Sequence, residues 1–335
     1  PAIQASGFRA WKDSLGVDLR VVLMTDPEIT GQPGADLAEQ VRNFLRENYG
    51  PWGIEHVLIV GSYLDVPMRL CYPDPENHLH DPADPGTGPG SVPTDAYYAD
   101  LSFPDSESWD LDGDGYHGEW GEDTPDFAAE VYVGRIPTNI PARVTYTLDK
   151  IVRVEQDTGV WKRHALHAGA ILFFENQNSS GIPLRDGAVY SHEVESRLMQ
   201  GWTLSRYSEQ SGLVTSLFPW PALTLYSFLN DWINGTYGFV NWAGHGWPDG
   251  VYRTIWNWDD GDGVPETDGS DGISSDAFIA DHLPLDDDYP SIVCAVSCDV
   301  GYPEPNDSSG NLGVHLLTDP SMGPASAVVS STRYA

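Results

Sequence analysis

Two short apolar runs, each stopping at a reactive side chain, constrain this chain more than anything else in it. The first lies in Gly238-Phe-Val-Asn-Trp-Ala-Gly-His-Gly246, the second in Pro290-Ser-Ile-Val-Cys-Ala-Val-Ser-Cys-Asp-Val-Gly301. Runs this short, bounded by Gly or Pro, predict buried strands over 239–242 and 292–296. In an open α/β sheet, functional groups collect beyond the carboxyl ends of parallel strands. His245 and Cys298 both fall just past such an end. The sequence therefore predicts that they meet.

The pairing has a chemical reason. Thiolate is the nucleophilic form of cysteine, and a free thiol is mostly protonated at neutral pH. An adjacent imidazole can take the thiol proton and later return it to a leaving amine. Gly244 and Gly246 flank His245 and let the backbone approach a substrate. The N–H of Gly246 is the candidate oxyanion donor. Taken singly, a histidine after a strand is more often structural, and a cysteine near a strand end is more often a small buried hydrophobe. Their coincidence at two strand ends favours catalysis. Zinc fits poorly: Cys294 and Cys298 lie on one extended run, and no second ligand pair at finger spacing appears. Cys294 falls inside the apolar run and is read as packing.

Elsewhere the pattern alternates strand and helix. A helix is predicted over 8–15, a strand over 19–24, and a helix over 35–49, where Leu37, Val41, Phe44 and Leu45 recur at helical spacing. A strand over 57–60 follows. Residues 70–91 are dense in Pro, Gly and Asp and exclude regular structure. Then come strands over 95–101 and 130–136 and a helix over 141–156 that starts on Pro141. A second unit runs through strand 166–174, helix 187–199, strand 203–207 and helix 222–233. The two site strands, a helix near 312–317 and a strand over 325–331 complete it. This βαβ order implies right-handed crossovers and mostly parallel sheets flanked by helices. The fold class is α/β in two sub-domains, 1–157 and 158–335.

Charge excludes one class of partner. The 335 residues carry a formal net charge of −33, with 17 Lys and Arg against 50 Asp and Glu. No Lys or Arg stands between Arg69 and Arg135, or between Arg253 and Arg333. Nucleic acid is therefore not expected as a partner, since phosphate recognition needs cationic side chains. No apolar run is long enough to span a bilayer, and 3 cysteines argue against a disulfide scaffold. Two compatible readings of the acidity are bound hard cations and a surface suited to salt. Asp110-Leu-Asp-Gly-Asp-Gly115 sets carboxylates at alternate positions before a turning glycine, as a Ca²⁺ loop requires. Its candidate ligands are Asp110, Asp112, Asp114, the backbone carbonyl of Tyr116, Glu119 and Glu122. Gly121 stands where an EF-hand has its bidentate glutamate, so a Ca²⁺ loop without flanking helices is expected. A second candidate set, Asp260, Asp262, Glu266 and Asp268, lies between His245 and Cys298 in sequence and is expected to rim their cleft.

Several of these segments resemble the gingipain-type (C25) family of cysteine peptidases, whose fold is caspase-like. The resemblance is carried by Val57-Leu-Ile-Val-Gly61 with Asp65-Val-Pro67, Pro93-Thr-Asp-Ala-Tyr-Tyr98, Glu130-Val-Tyr-Val-Gly-Arg-Ile136, Val240-Asn-Trp-Ala-Gly-His-Gly246, and Val293 to Asp299, in the family's order. It implies that His245 and Cys298 are catalytic. It also implies a secreted cysteine endopeptidase, extracellular or at the cell surface, that acts on peptide or protein substrates with a preference for a basic P1 residue. A basic P1 needs a carboxylate. Glu175 and Asp186, after the strand expected over 166–174, are the candidates, and Trp247 is a further candidate substrate contact. The acidic loops are larger than those of the family. The family also continues past the position of Ala335, so the second sub-domain is expected to be truncated. The absence of a leading Met or a signal peptide at Pro1 reads as a processed N-terminus. Two other functions use the same residues: an inactive Ca²⁺-stabilised surface module, and a transpeptidase in which an amine replaces water.

Overall fold

The computed structural model describes residues 2–72, 91–101, 108–280, 285, 287–303 and 311–333. Most of the irregular stretch expected over 70–91 lies outside them. The chain divides into two compact units, residues 1–149 with 332–334, and residues 150–331. No helix among the described residues is long and apolar enough to cross a membrane.

The first unit begins with α1 (Ala2–Ala5), α2 (Phe8–Ser14), α3 (Pro27–Thr30) and α4 (Leu37–Trp52). Then come β1 (His56–Val60), β2 (Arg69–Cys71), β3 (Val92–Thr94), α5 (Ala96–Ala99) and β4 (Tyr132–Ile136). Helix α4 starts where the Asp36 side chain accepts from the Glu39 N–H, and stops at Gly53, whose φ of 61° is left-handed. It buries Val41, Phe44 and Leu45, the residues at helical spacing, in a core shared with Ile59 of β1. Strand β1 pairs in parallel with β4, and β2 pairs antiparallel with β3.

Two expectations for this unit fail. Residues 19–24 form no strand. Val21 and Leu23 are exposed while Val22 and Met24 pack on the core, so the alternation exists, but the described partner of β1 is β4 alone. Within the strand expected over 95–101 lies helix α5. There the Arg42 and Arg69 guanidiniums sit over the Tyr97 ring at 4.7 and 4.5 Å, and the Tyr98 hydroxyl donates to the Pro67 carbonyl. These tertiary contacts outweigh the strand propensity of the tyrosines.

Helix α6 (Pro141–Gln156) contains the division between the units, ahead of the boundary expected at 157/158. The second unit continues through β5 (His164–Gly169), β6 (Ile171–Phe173), β7 (Arg185–Asp186), α7 (Gly187–Leu198) and β8 (Thr203–Ser208). It proceeds through α8 (Leu225–Asn234), β9 (Phe239–Ala243), β10 (His245–Trp247), β11 (Gly250–Trp256) and β12 (Ile273–Ala280). It closes with β13 (Ser291–Val296), α9 (Leu312–Thr318) and β14 (Ala325–Ser330). Five strands make one parallel sheet in the order β14-β13-β9-β5-β8. Leu166, Val240, Trp242, Phe228, Val293 and Leu316 are fully buried around it. Each such side chain contributes about 1.5–3 kcal/mol by leaving water. The register sets Gly169, Ala243 and Val296 level, so three central strands end together.

Beyond that edge the structure departs from the expected pattern. The single strand expected over 166–174 is two strands, broken at Ala170. The Ala170 N–H donates to Ala243 O (2.9 Å), and the Gly187 N–H donates to Ala170 O (2.8 Å). Gly169 is required here, because a Cβ would fall 2.2 Å from the Ala188 nitrogen. Strand β6 is thereby freed from the main sheet to pair with β7. The second addition is the antiparallel sheet β10-β11-β12 after the histidine strand. Along β11, Val251, Arg253 and Ile255 are buried and alternate with the less buried Tyr252 and Thr254, but the charged Arg253 breaks the apolar alternation that would have marked a strand in sequence.

Candidate active site

The site is built on the level ends of β9 and β13. Past β9, the Gly244 N–H donates to Val296 O (3.2 Å), and β10 opens at His245. Gly246 lies directly on the backbone past β13: a Cβ there would fall 1.9 Å from Cys298 O and 2.7 Å from Cys298 N. Only glycine permits this approach, and it brings the His245 and Cys298 segments together. Ser297, before the cysteine, is buried and accepts from Trp242 Nε1 (3.2 Å). Asp299, after it, is buried with φ 50°, so the chain turns sharply there. Aspartate is one of the few side chains that visit this region readily.

His245 is held by the freed strand. Its Nε2 lies 2.9 Å from Leu172 O, and the Phe173 ring stands edge-on 6.1 Å from the imidazole. A carbonyl only accepts, so Nε2 carries the proton and Nδ1 keeps its lone pair. Burial pushes the imidazole pKa below its ordinary 6.5, and the bond to Leu172 O works against that. The result favours a neutral ring able to take a proton.

The other cysteines lie elsewhere. Cys294 is within β13, half-buried and hydrogen-bonded to Tyr190, and burial pushes its thiol pKa up. Cys71 belongs to the first unit, where burial pushes its thiol up to about 11.

Among the candidate substrate contacts, Trp247 follows Gly246 on β10 and is 49 % exposed. Asp186 is buried, and its carboxylate is taken up by the fold. It accepts from the Ala188 N–H at the start of α7 (2.9 Å), from Ser216 Oγ (2.7 Å) and from the Leu217 N–H (2.8 Å). That leaves it a cap and a loop tie rather than a group open to ligand. Glu175 is exposed, with neither hydrogen bond nor ion pair among the described residues.

The turn between β6 and β7 is strained and clamped. Asn176, Asn178 and Ser179 all have left-handed φ, at 56°, 53° and 56°. The Asn178 N–H donates to Pro265 O and the Thr267 N–H donates to Asn178 Oδ1, both at 2.8 Å. The acidic loop between β11 and β12 thus grips the turn whose strand holds His245.

Within that loop, oxygens of Asp260, Glu266 and Asp271 lie within 4.8 Å of one another, as do those of Asp259, Asp260 and Asp262. Asp271, missed in the sequence, is buried and accepts from the Asp260 and Glu266 N–H groups (2.9 and 3.1 Å). Asp268, expected in the cluster, accepts from Ser270 instead. The alternating pattern pointed to the nearer acid, but the turn brings back the farther one. In the first unit, oxygens of Asp110, Asp112 and Asp114 lie within 4.8 Å of one another, as do those of Asp112, Glu119 and Glu122. Tyr116 donates its N–H to Asp114 Oδ1 (2.8 Å). Asp123, also missed, closes the loop by accepting from the Leu111 and Glu119 N–H groups (2.7 and 3.0 Å). Asp110 Oδ1 and Glu119 Oε2 are buried without a hydrogen-bond partner. Burial, then the charges of Asp114, Glu122 and Asp112, raise the Glu119 pKa. Orphaned oxygens on mutually repelling carboxylates fit a hard divalent cation.

The model of peptidase family C25 matches residues 3–335. The chain belongs to peptidase family C25. No curated protein matches its sequence. Among solved structures, this C25 chain is similar to the Arg-specific cysteine proteinase gingipain R (RgpB), at 15% identity and TM-score 0.60, covering 99% of this chain and 61% of that one. It is also similar to the complex of the Porphyromonas gingivalis RgpB pro- and mature domains, at 15% identity and TM-score 0.59, with the same coverages of 99% and 61%. A third structure, titled as a protease, gives 13% identity and TM-score 0.58 over 100% of this chain and 57% of that one. Likeness at these identities speaks to the fold, and this C25 chain spans about three fifths of the gingipain chains. The expected caspase-like α/β fold, a parallel sheet flanked by helices, agrees with them.

Proposed function

We propose that this C25 chain is a cysteine endopeptidase in which His245 and Cys298 form the catalytic pair. The observation that carries the reading is the seating of Gly246 on the Cys298 backbone, with His245 next to it and anchored through Nε2. Nδ1 of His245 takes the thiol proton, and the thiolate adds to the scissile carbonyl carbon. The N–H groups of Gly246 and Cys298 are the donors assigned to the oxyanion. Collapse breaks the C–N bond, and the imidazolium gives its proton to the leaving amine. Water, deprotonated by His245, then hydrolyses the thioester and regenerates the thiol.

The substrate is a peptide or protein with a basic P1 residue. The acidic surface raises the local concentration of such substrates. Glu175 is the carboxylate available to them, since that of Asp186 is engaged. Trp247, half exposed next to Gly246, contributes apolar surface. Ca²⁺ binds at Asp110, Asp112, Asp114, Glu119 and Glu122, with the Tyr116 carbonyl completing the set, where it neutralises crowded carboxylates. A weaker site uses Asp260, Asp262 and Glu266, with Asp271. Reliance on Ca²⁺ and a strongly acidic surface suit an extracellular or cell-surface location, which fractionation of the source cells tests directly.

The test of the pair is covalent. A peptide electrophile ending in Arg or Lys should modify one residue, and mass mapping should find it at Cys298. Modification at Cys294 or Cys71 that persists in Cys298→Ala would sink the assignment.

A further inference from the structure

Residues 150–331 contain eight basic side chains, and nearly all are tied down within the fold. Lys150 and Lys162 donate to backbone carbonyls. Arg153, Arg197, Arg206 and Arg253 pair with Asp287, Glu193, Glu195 and Glu209. Among the described residues, Arg163 and Arg185 make neither kind of contact, although the chain carries 50 acids. Arg163 precedes β5, at the amino edge of the sheet and away from the site. Arg185 is on β7, exposed, as the cross-strand partner of Phe173. The ladder shifts register between Ile171 and Phe173, both Phe173 and Arg185 are exposed, and the Phe173 ring lies edge-on to His245. Arg185 is thus one strand away from the residue that packs on His245, and its guanidinium has no ion-pair partner among the described residues.

The ribbon that carries it is rigidly held. Leu172 O is fixed on His245. Asn178 is fixed on Pro265 and Thr267. Three consecutive-region residues, Asn176, Asn178 and Ser179, stay left-handed. Strain of this kind persists where the surroundings over-determine it, and it gathers at functional sites. A guanidinium is a planar fork of donors that matches a carboxylate in two-point contact. In a protein of this charge, an acidic ligand is disfavoured everywhere except beside such a group, so selection depends on position along the peptide.

We propose that Arg185 anchors a carboxylate of the peptide substrate next to the scissile bond. The preferred substrate then carries a basic P1 residue and an acidic neighbour. This rests on the peptidase reading above and deepens it.

The experiment uses internally quenched peptides with Arg at P1 and Glu, Gln or Lys in turn at each position from P3 to P2′. A parallel set has Leu at P1, and kcat/KM is measured for wild type, Arg185→Gln and Arg185→Glu. At one position, wild type should prefer Glu over Lys by about fivefold at low salt, the upper end for an exposed ion pair. The preference should shrink at about 1 M salt, vanish in Arg185→Gln and reverse in Arg185→Glu. A preference identical in all three proteins, or no preference at any position, overturns the proposal while leaving the peptidase reading intact. If wild type cleaves neither set, the peptidase reading fails and this one falls with it. A Glu preference seen equally with Leu at P1 supports Arg185 and counts against the basic P1 alone.

Discussion

Two acidic loops with nearly the same sequence pattern, Asp110-Leu-Asp-Gly-Asp-Gly115 and Asp260-Gly-Asp-Gly263, are built differently. The first leaves Asp110 Oδ1 and Glu119 Oε2 buried and unsatisfied amid other carboxylates. Its proposed partner is a bound cation. Each loop is closed by an aspartate that takes two backbone N–H groups, Asp123 in the first and Asp271 in the second, but the second has no orphaned carboxylate oxygen among the described residues. Its free hydrogen-bonding capacity goes outward through Thr267 to Asn178, and so to the strand that holds His245. The roles proposed for the shared motif are therefore stability in the first loop and positioning in the second. The difference lies in where each carboxylate finds its hydrogen bonds.

Separating those roles needs an activity signal with a known zero. Cys298→Ala should set it, reducing peptide turnover by at least about 10³-fold. Cys294→Ala should retain turnover and lose some stability. Equal losses in the two variants would remove the reference point.

Chelation of Ca²⁺, or Asp112→Asn, should then lower the melting temperature by about 5–10 °C, as expected for losing a ligand present well above its Kd. Turnover per folded molecule should change little. A melting temperature indifferent to chelator would mean that the first loop is only a solvated acidic turn.

Asn178→Ala should do the reverse. Turnover should fall roughly tenfold, a loss of about 1.4 kcal/mol of transition-state stabilisation, with a melting shift of no more than about 2 °C. If this variant melts like Asp112→Asn and keeps its kcat, the contrast between the loops collapses.

The smallest effect concerns pH. Burial lowers the His245 pKa, so the neutral, proton-accepting ring persists below the ordinary 6.5. Activity should be lost only as pH falls through that lower value, placing the acid limb of kcat/KM below 6.5. Asn178→Ala, by loosening the strand over the ring, should move the limb back upward, and Asp112→Asn should not. A wild-type limb above 6.5 would contradict the burial argument.

The sequence by itself determined the alternating α/β order, the helical face of α4, and the places where two apolar strands stop at His245 and Cys298. Those features depend on neighbours a few residues apart, which periodicity and turn chemistry report. It also marked the acidic loops, though not which acids close them, because Asp123 and Asp271 act through turns that bring distant backbone N–H groups to one carboxylate. Tertiary structure alone decided the break at Ala170, the ribbon carrying Phe173 and Arg185, and the pressing of Gly246 onto Cys298. Each depends on backbone groups from separate strands meeting at one sheet edge. Local propensity cannot encode that meeting, since the deciding energies are the hydrogen bonds and close contacts made after the strands have aligned.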